Sequence, residues 1–166
     1  MRWRTVVTAA LPLALAVGCG GGPGSEAGAN GDLRADRVAG GRTSRFIDGP
    51  AVATYCPDDS LVTVVAVSRD GSVGFAVRTR LPLGHARSFA VAPSLAESSS
   101  AALALRLKSG VARIGASGWI RLEGSATISG EFDVALPDSA GTRPRLTGRL
   151  AGIAVRTGKR AACNAI

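Results

Sequence analysis

The chain has little of what most metal-dependent and nucleophilic active sites require. It contains one histidine, two tryptophans, one tyrosine and four phenylalanines among 166 residues. A single histidine, His85, excludes the usual multi-histidine metal sites. Ser88, close to it in sequence, lacks the Gly-x-Ser-x-Gly elbow of a serine hydrolase. We therefore interpret His85 as an exposed loop residue, and we predict no metal and no cofactor.

Long apolar runs are absent as well. The longest run near the amino terminus, Val6–Val17, has twelve residues and is interrupted by Pro12, whereas a membrane-spanning helix needs roughly 20. The flanks match an export signal instead, because Arg2 and Arg4 precede the run and a small residue follows it.

The end of this signal carries the most informative residue of the chain. The stretch Leu15-Ala16-Val17-Gly18-Cys19 resembles the lipobox of bacterial lipoproteins, although Ala16 stands where that family usually has leucine or another aliphatic residue. The resemblance implies cleavage before Cys19, a thioether-linked diacylglycerol on its thiol and, usually, a further acyl chain such as palmitate on the new amino group. Two such chains suffice for stable anchoring in a membrane. The alternative is an ordinary signal peptide, with Cys19 incidental.

The resemblance also bears on location. It places the protein in the bacterial cell envelope, held by its lipid. Gly20 follows the cysteine, where some bacteria with two membranes use aspartate as a signal for retention in the inner membrane. We therefore expect the outer membrane.

Two cysteines remain, Cys56 and Cys163. Outside the cytoplasm, two leftover cysteines usually pair, and neither has a second cysteine or a histidine close by for a metal. We predict a disulfide between them that closes a loop of about 107 residues and stabilises the fold by about 4–5 kcal/mol. The alternatives are two free thiols or a metal pair.

Positive charge exceeds negative charge. The whole chain carries +8, and the mature chain +6 after loss of the two signal arginines. Lys108 and Lys159 are its only lysines. This composition has two interpretations, codon bias in a GC-rich genome or attraction to anionic lipid headgroups or polyanions. Nucleic acid is not expected as a partner, because the basic residues are scattered rather than clustered with aromatics.

We divide the chain into a signal peptide (1–18), a lipid anchor and flexible linker (19–42) and a single β domain (43–166). The linker is rich in glycine and poor in large apolar residues, so it should form a flexible coil. The 148 residues that remain after removal of the signal are long enough for one domain with its own core.

Short β-type runs separated by turn signals fill this domain. Asp70-Gly71 supplies the positive φ of a tight hairpin. Such a pattern predicts an antiparallel β-sandwich or a small β-barrel of about 7–9 strands. The predicted strands are 51–56, 61–68, 73–80, 87–92, 102–108, 111–116, 119–123, 127–136 and 145–156.

The run 127–136 gives the clearest alternation. Its apolar residues share one face, while Glu131 and Asp133 share the other. Arg145, Arg149 or Arg156 on the following strand are candidates to oppose these carboxylates. Trp119 is interpreted as a partly buried core residue rather than a binding aromatic.

No catalytic motif emerges from this sequence. We expect a lipid-anchored envelope protein with a noncatalytic binding or structural β domain, whose partners are an envelope protein, polysaccharide or anionic lipid. One alternative is a small envelope hydrolase that uses Glu131 and Asp133, since glycoside hydrolysis requires two carboxylates. Another is an inhibitor or accessory subunit that uses a sheet edge or a loop.

Overall fold

The computed structural model describes residues 31–80, 85–92, 95, 99–110, 112–115, 117–137 and 144–158. The predicted export signal, Cys19 and Cys163 therefore lie outside the described residues. No helix within these ranges is long and apolar enough to cross a bilayer. Their elements are β1 (Asp32–Ala39), β2 (Arg42–Cys56), a 3-10 turn (Pro57–Asp59), β3 (Leu61–Val67), β4 (Gly74–Arg80), β5 (Arg87–Val91), β6 (Ser100–Arg106), β7 (Ala112–Ile114), β8 (Ser117–Glu123), β9 (Thr127–Ala135) and β10 (Arg145–Thr157).

Across these ranges, nine strands form a closed barrel. Their order around the ring is β4-β3-β2-β1-β10-β9-β8-β5-β6, and β4 pairs with β6 to complete it. β5 pairs with the start of β6, and the short β7 pairs with the end of β6, at residues 104–106. The barrel is mixed, because β5 and β6 run parallel, as do the ends of β2 and β10. The all-β prediction is confirmed, and the structure is a barrel rather than a sandwich.

The barrel begins earlier in the chain than predicted. β1 occupies Asp32–Ala39 and pairs with both β2 and β10, so the expectation of a flexible coil up to residue 41, and of a domain starting at 43, was wrong. Leu33 and Ala35 point into the core and are almost completely buried. Pairing on both edges and burial of these two side chains outweigh the weak local preference of this segment for a strand.

Two hairpin turns use glycine residues with positive φ, as their sequences predict. Between β1 and β2, Gly40 and Gly41 have φ of 55° and 73°, the left-handed values of a type I′ turn. Between β3 and β4, the N–H of Ser68 donates to the C=O of Val73 over 2.8 Å, and Gly71 has φ of 69°. The Asp70-Gly71 hairpin prediction is confirmed.

Aromatic rings fill the lumen of the barrel. Phe75 on β4 and Phe132 on β9 come from opposite walls and stack with ring centroids 5.1 Å apart. Gly148 lies opposite Phe132 in the register of β9 and β10, and a Cβ at Gly148 would lie 2.5 Å from the Phe132 ring. The absence of a side chain at Gly148 therefore makes room for this ring. The surrounding core consists of Val, Leu, Ile and Ala side chains together with Phe89.

The chain enters the barrel through its wall. β2 and β10 flank β1, and beyond the start of β1 they pair directly with each other, as in Ala53 with Val155. Gly31 lies where the two strands separate, and its C=O accepts a hydrogen bond from the N–H of Ala51 over 3.0 Å. The segment before residue 31 is therefore attached beside the middle of β2.

Cys56 is the last residue of β2, in the part of the strand that runs beside β10. Its side chain is buried, and it takes part in a disulfide bond. Its pairing with Cys163, which lies outside the described residues, stays a prediction.

Candidate functional site

Charged side chains line the outer face of three neighbouring strands, β8, β9 and β10. Arg121 on β8 lies opposite Glu131 on β9, and Glu131 lies opposite Arg149 on β10. All three are exposed. The outward-facing residues of this surface, which we call the charged wall, are Trp119, Arg121, Glu123, Ser129, Glu131, Asp133, Thr147 and Arg149.

The same row continues onto β1 and β2. Arg149 lies opposite Arg34, and Arg34 lies opposite Asp48. Five charged side chains of mixed sign therefore run across five adjacent strands. A partner with a uniform charge of either sign meets like charges along this row, which is unfavourable.

Ion pairs fix the side chains at the β1–β2 end of the row. The Nε–H of Arg45 donates to Asp36 Oδ1 over 2.7 Å, and Arg45 Nη1 lies 3.4 Å from Asp48 Oδ2. Arg34 Nε lies 3.6 Å from the same Asp48 oxygen. These pairs are partly exposed, so they contribute more to the positions of the groups than to stability.

A bidentate pair borders the charged wall at the other end of β9. Arg145 donates from Nε and Nη2 to the two carboxylate oxygens of Asp133, over 2.9 Å and 2.6 Å. The prediction is confirmed for Arg145, which binds Asp133 diagonally across the hairpin, and for Arg149, which lies directly opposite Glu131. Arg156 faces Thr54 on β2 instead. The hydrogen bonds and the negative charge of Asp133 raise the pKa of Arg145 above its usual value. Among the described residues, Glu131 has no such ion pair within 4.0 Å.

An open depression of about 450 Å³ lies between Arg121 and Arg149. The N–H of Gly152 donates to Ser129 Oγ over 3.1 Å, which holds the β10 bulge against its rim. Two guanidinium groups and two carboxylates thus surround a shallow hollow that is open to solvent. Its lining residues are Arg121, Glu123, Ser129, Gly130, Glu131, Arg149, Leu150 and Ala151.

The geometry gives little support to hydrolysis by Glu131 and Asp133. Glycosidases place two carboxyl groups on opposite sides of the scissile bond. Here both side chains project the same way from alternate positions of one strand, with Cα atoms about 7 Å apart. Asp133 is moreover held by two hydrogen bonds from Arg145.

Trp119 is exposed, which corrects the sequence-based interpretation. Its exposed fraction is 41%. Because side chains alternate along a strand, burial of Ile120 and Leu122 places Trp119 and Arg121 outside. The aromatic ring therefore belongs to the charged wall, and its cross-strand neighbour is Asp133.

The remaining candidates do not join this surface. His85 is exposed and lies just before β5, as expected for a loop residue. Within the described ranges, no three His, Cys, Asp or Glu side chains form a group that would hold a metal ion.

Sequence reasoning missed Arg34, Asp36 and Asp48, because it assigned the first two to a linker. A signal was present: charged and apolar residues alternate from Asp32 to Asp36, as in a half-buried strand. The neighbouring Gly40 and Gly41 favoured the linker interpretation instead. In the structure these two glycines form the tight turn that sets the register of the β1–β2 hairpin.

Comparison with known proteins adds no relative. No protein-family model, curated protein or solved structure matches this chain.

Proposed function

We propose that this chain is a lipid-anchored protein of the bacterial cell envelope whose barrel is a noncatalytic binding module. The charged wall is its binding surface, and its partner is another envelope protein. The observation that carries the proposal is the exposed row Arg121–Glu131–Arg149 beside the exposed Trp119.

The residue types of this wall support a protein partner. Tryptophan and arginine are enriched among the residues that dominate binding energy at protein interfaces. The mixed signs of the row disfavour a uniformly charged polymer, whereas a protein surface can present acidic and basic groups in the complementary order.

Anchoring is supported by the residues around Cys19 and is tested first. Cells expressing the chain are fed a fatty-acid analogue that is detected after protein purification. We expect label on the wild-type protein and its loss in Cys19→Ala. Ser25→Ala, in the same predicted linker, is the control, and it should keep the label because the predicted lipid lies on Cys19. Undiminished label in Cys19→Ala would make the anchoring proposal wrong.

The binding surface is tested by crosslinking in the intact envelope. A photoreactive amino acid replaces Thr147, at the border of the charged wall, and adducts are identified by mass spectrometry. We expect one polypeptide adduct that disappears in Arg121→Glu and in Trp119→Ala. Arg69→Glu, in the β3–β4 turn on the far side of the barrel from β9, should retain it.

Two outcomes contradict this part of the proposal. An adduct that persists in all three variants does not depend on the charged wall. An adduct with polysaccharide instead of polypeptide would overturn the assignment of a protein partner.

A further inference from the structure

Three neighbouring side chains of the charged wall have no charged partner within the described barrel. Arg121, Glu131 and Arg149 lie opposite one another across β8, β9 and β10, and we call them the triplet. Among the described residues, none of the three takes part in an ion pair or a side-chain hydrogen bond. The ion pairs of this wall instead hold Asp133 and Asp48, which lie outside the triplet. Its positive, negative and positive groups therefore stay available to a partner.

The order of charge in the triplet selects the order of charge in a partner. A surface that presents an acid, a base and an acid in sequence meets the opposite charge at each position, whereas the reverse order meets like charges throughout. Each guanidinium offers paired N–H donors to a carboxylate. Glu123 lines the same hollow as Glu131, so a basic side chain that enters the hollow meets two carboxylates.

The curvature of the barrel limits this contact to about three strands. Nine strands close the ring, so the wall curves away on both sides of β9 from a straight ligand. The next charged residues along the wall, Asp32 and Arg34, lie on β1 beyond β10, and Arg34 is already paired with Asp48. A straight ligand laid over β9 therefore contacts the triplet rather than the whole row of five.

The backbone of this wall favours a helix as the ligand. β8, β9 and β10 are each paired on both edges, so a partner cannot dock here by adding a strand and contacts side chains only. An α-helix satisfies its own backbone groups and presents side chains on successive turns, about 5.4 Å apart. Neighbouring strands are about 4.8 Å apart, so charges on successive turns of a helix match the triplet.

Trp119 supplies an apolar contact along one flank of the triplet. It lies two residues before Arg121 on the same face of β8 and is 41% exposed. Side chains two residues apart on a strand are separated by about 7 Å, which is less than the width of a helix with its side chains, about 10 Å. A helix that lies along the triplet therefore also covers Trp119.

We propose that the partner docks an α-helix across β8, β9 and β10, with an acidic, a basic and an acidic side chain on successive turns. These groups face Arg121, Glu131 and Arg149 in that order, and an apolar side chain of the same helix packs on Trp119. This inference rests on the proposed function, because it names the chemistry of the protein partner's surface.

Photocrosslinking from two positions tests the helix, with the full chain in the intact envelope. Benzoylphenylalanine replaces either Thr147 on β10 or Trp119 on β8, where it keeps an aromatic ring. Both positions lie opposite Asp133 in one cross-strand row, so they are about 10 Å apart. Mass spectrometry locates the partner residue joined to each.

We expect the two crosslinked residues of the partner to lie about seven residues apart, as the rise of about 1.5 Å per residue in a helix requires. An acid–base–acid series on successive turns should lie beside them. A separation of about three residues, which corresponds to an extended strand, would overturn the helix.

Exchange of charges tests the pairing within the triplet. Glu131→Lys should reduce the yield of the Thr147 adduct about tenfold or more, because it places like charges in contact. Asp58→Lys, in the 3-10 turn outside the charged wall, makes the same change of charge and should leave the yield unchanged. Glutamate in place of the facing basic residue of the partner should restore the yield with Glu131→Lys and lower it with the wild-type barrel.

A second exchange guards against a partner variant that fails to fold. Arg149→Glu should likewise reduce the yield, and lysine in place of the facing acidic residue of the partner should restore it. Failure of both exchanges to restore the adduct contradicts the proposed pairing.

The failures of the two proposals are distinguishable. Absence of a polypeptide adduct from both positions refutes the binding proposal itself. A polypeptide adduct whose mapped segment lacks the acid–base–acid series refutes the helix and leaves the charged wall as the binding surface. An adduct with the described part of a second copy of this chain also refutes the helix, because that part contains no α-helix.

Discussion

The two walls of the barrel have the same backbone architecture and opposite chemistry. On β8, β9 and β10 the outward positions carry Arg121, Glu131 and Arg149 in register. On β3 and the end of β2 they carry Val65 and Val52. Their inward positions are alike, since both contribute buried aliphatic side chains to one core, to which β9 adds Phe132. The difference shows that the interior specifies the fold, while each outer row is free to specialise for a separate contact.

The largest effect should come from the interior that both walls share. Phe132→Ala removes a ring that stacks on Phe75 across the lumen, and we expect a loss of about 3–5 kcal/mol in the free energy of unfolding. Trp119→Ala, an aromatic truncation on the charged wall, should change it by only about 0.5 kcal/mol. Denaturant unfolding under oxidising conditions measures both; equal losses would mean that Phe132 is not part of the core.

A smaller effect is expected at the seam where β4 pairs with β6 and closes the barrel. The hydroxyl of Thr79, which is fully buried, donates to the C=O of Ser100 over 3.0 Å. Thr79→Val removes this donor, and we expect a loss of about 1–3 kcal/mol. Thr147→Val on the charged wall is the control, expected to lie within about 0.5 kcal/mol of wild type. A neutral Thr79→Val would argue against a role for this hydrogen bond in closure.

Salt should weaken the coupling energy of a charged pair but not that of two exposed valines. A double-mutant cycle with alanine at Val52 and Val65 should give a coupling of about 0.2–1 kcal/mol that salt does not weaken. The corresponding cycle for Arg145 and Asp133 should give a coupling that falls as salt rises to 1 M, where the Debye length is about 3 Å. The same salt response for both pairs would contradict the assignment of their forces.

The smallest effect concerns the turn between β3 and β4. Hydrogen bonds from the side chains of Ser68 and Ser72 and from the N–H of Ser72 lower the pKa of Asp70 to about 2 from 3.8. Because the folded-state pKa is the lower one, the stabilising contribution of Asp70 is fully present above about pH 3.8 and is lost as the pH falls through about 2. NMR titration should find this midpoint, and Ser72→Ala should move it upward. An unchanged midpoint in that variant would exclude Ser72 as a cause.

Much of the fold follows from local patterns. Alternation in 127–136 predicted β9 (Thr127–Ala135), and β-branched residues around Asp70-Gly71 predicted β3, the turn and β4. The first strand was missed because few large apolar residues mark it, so its stability comes from its two neighbours. Trp119 was misassigned because only its hydrophobicity was considered. Side chains alternate along β8, so the buried Ile120 and Leu122 place Trp119 on the outer face.

The candidate surfaces were less predictable. Glu131 and Arg145 could be named from one hairpin, but the row from Asp48 to Arg121 joins strands that are far apart in sequence. The pairing of the exposed Val52 and Val65 was not predicted for the same reason, since both look like ordinary core residues until the direction of their side chains is known.

The sequence by itself determined most of the strands after β1, most of the turns and the apolar alternation, because these depend on neighbours a few residues apart. Only the tertiary structure decided that the sheet closes through β4 and β6, that Phe75 and Phe132 meet in the lumen, and that charge gathers on one wall and valine on the other. Closure depends on contacts between distant segments, and local patterns encode only the neighbours that share a hairpin.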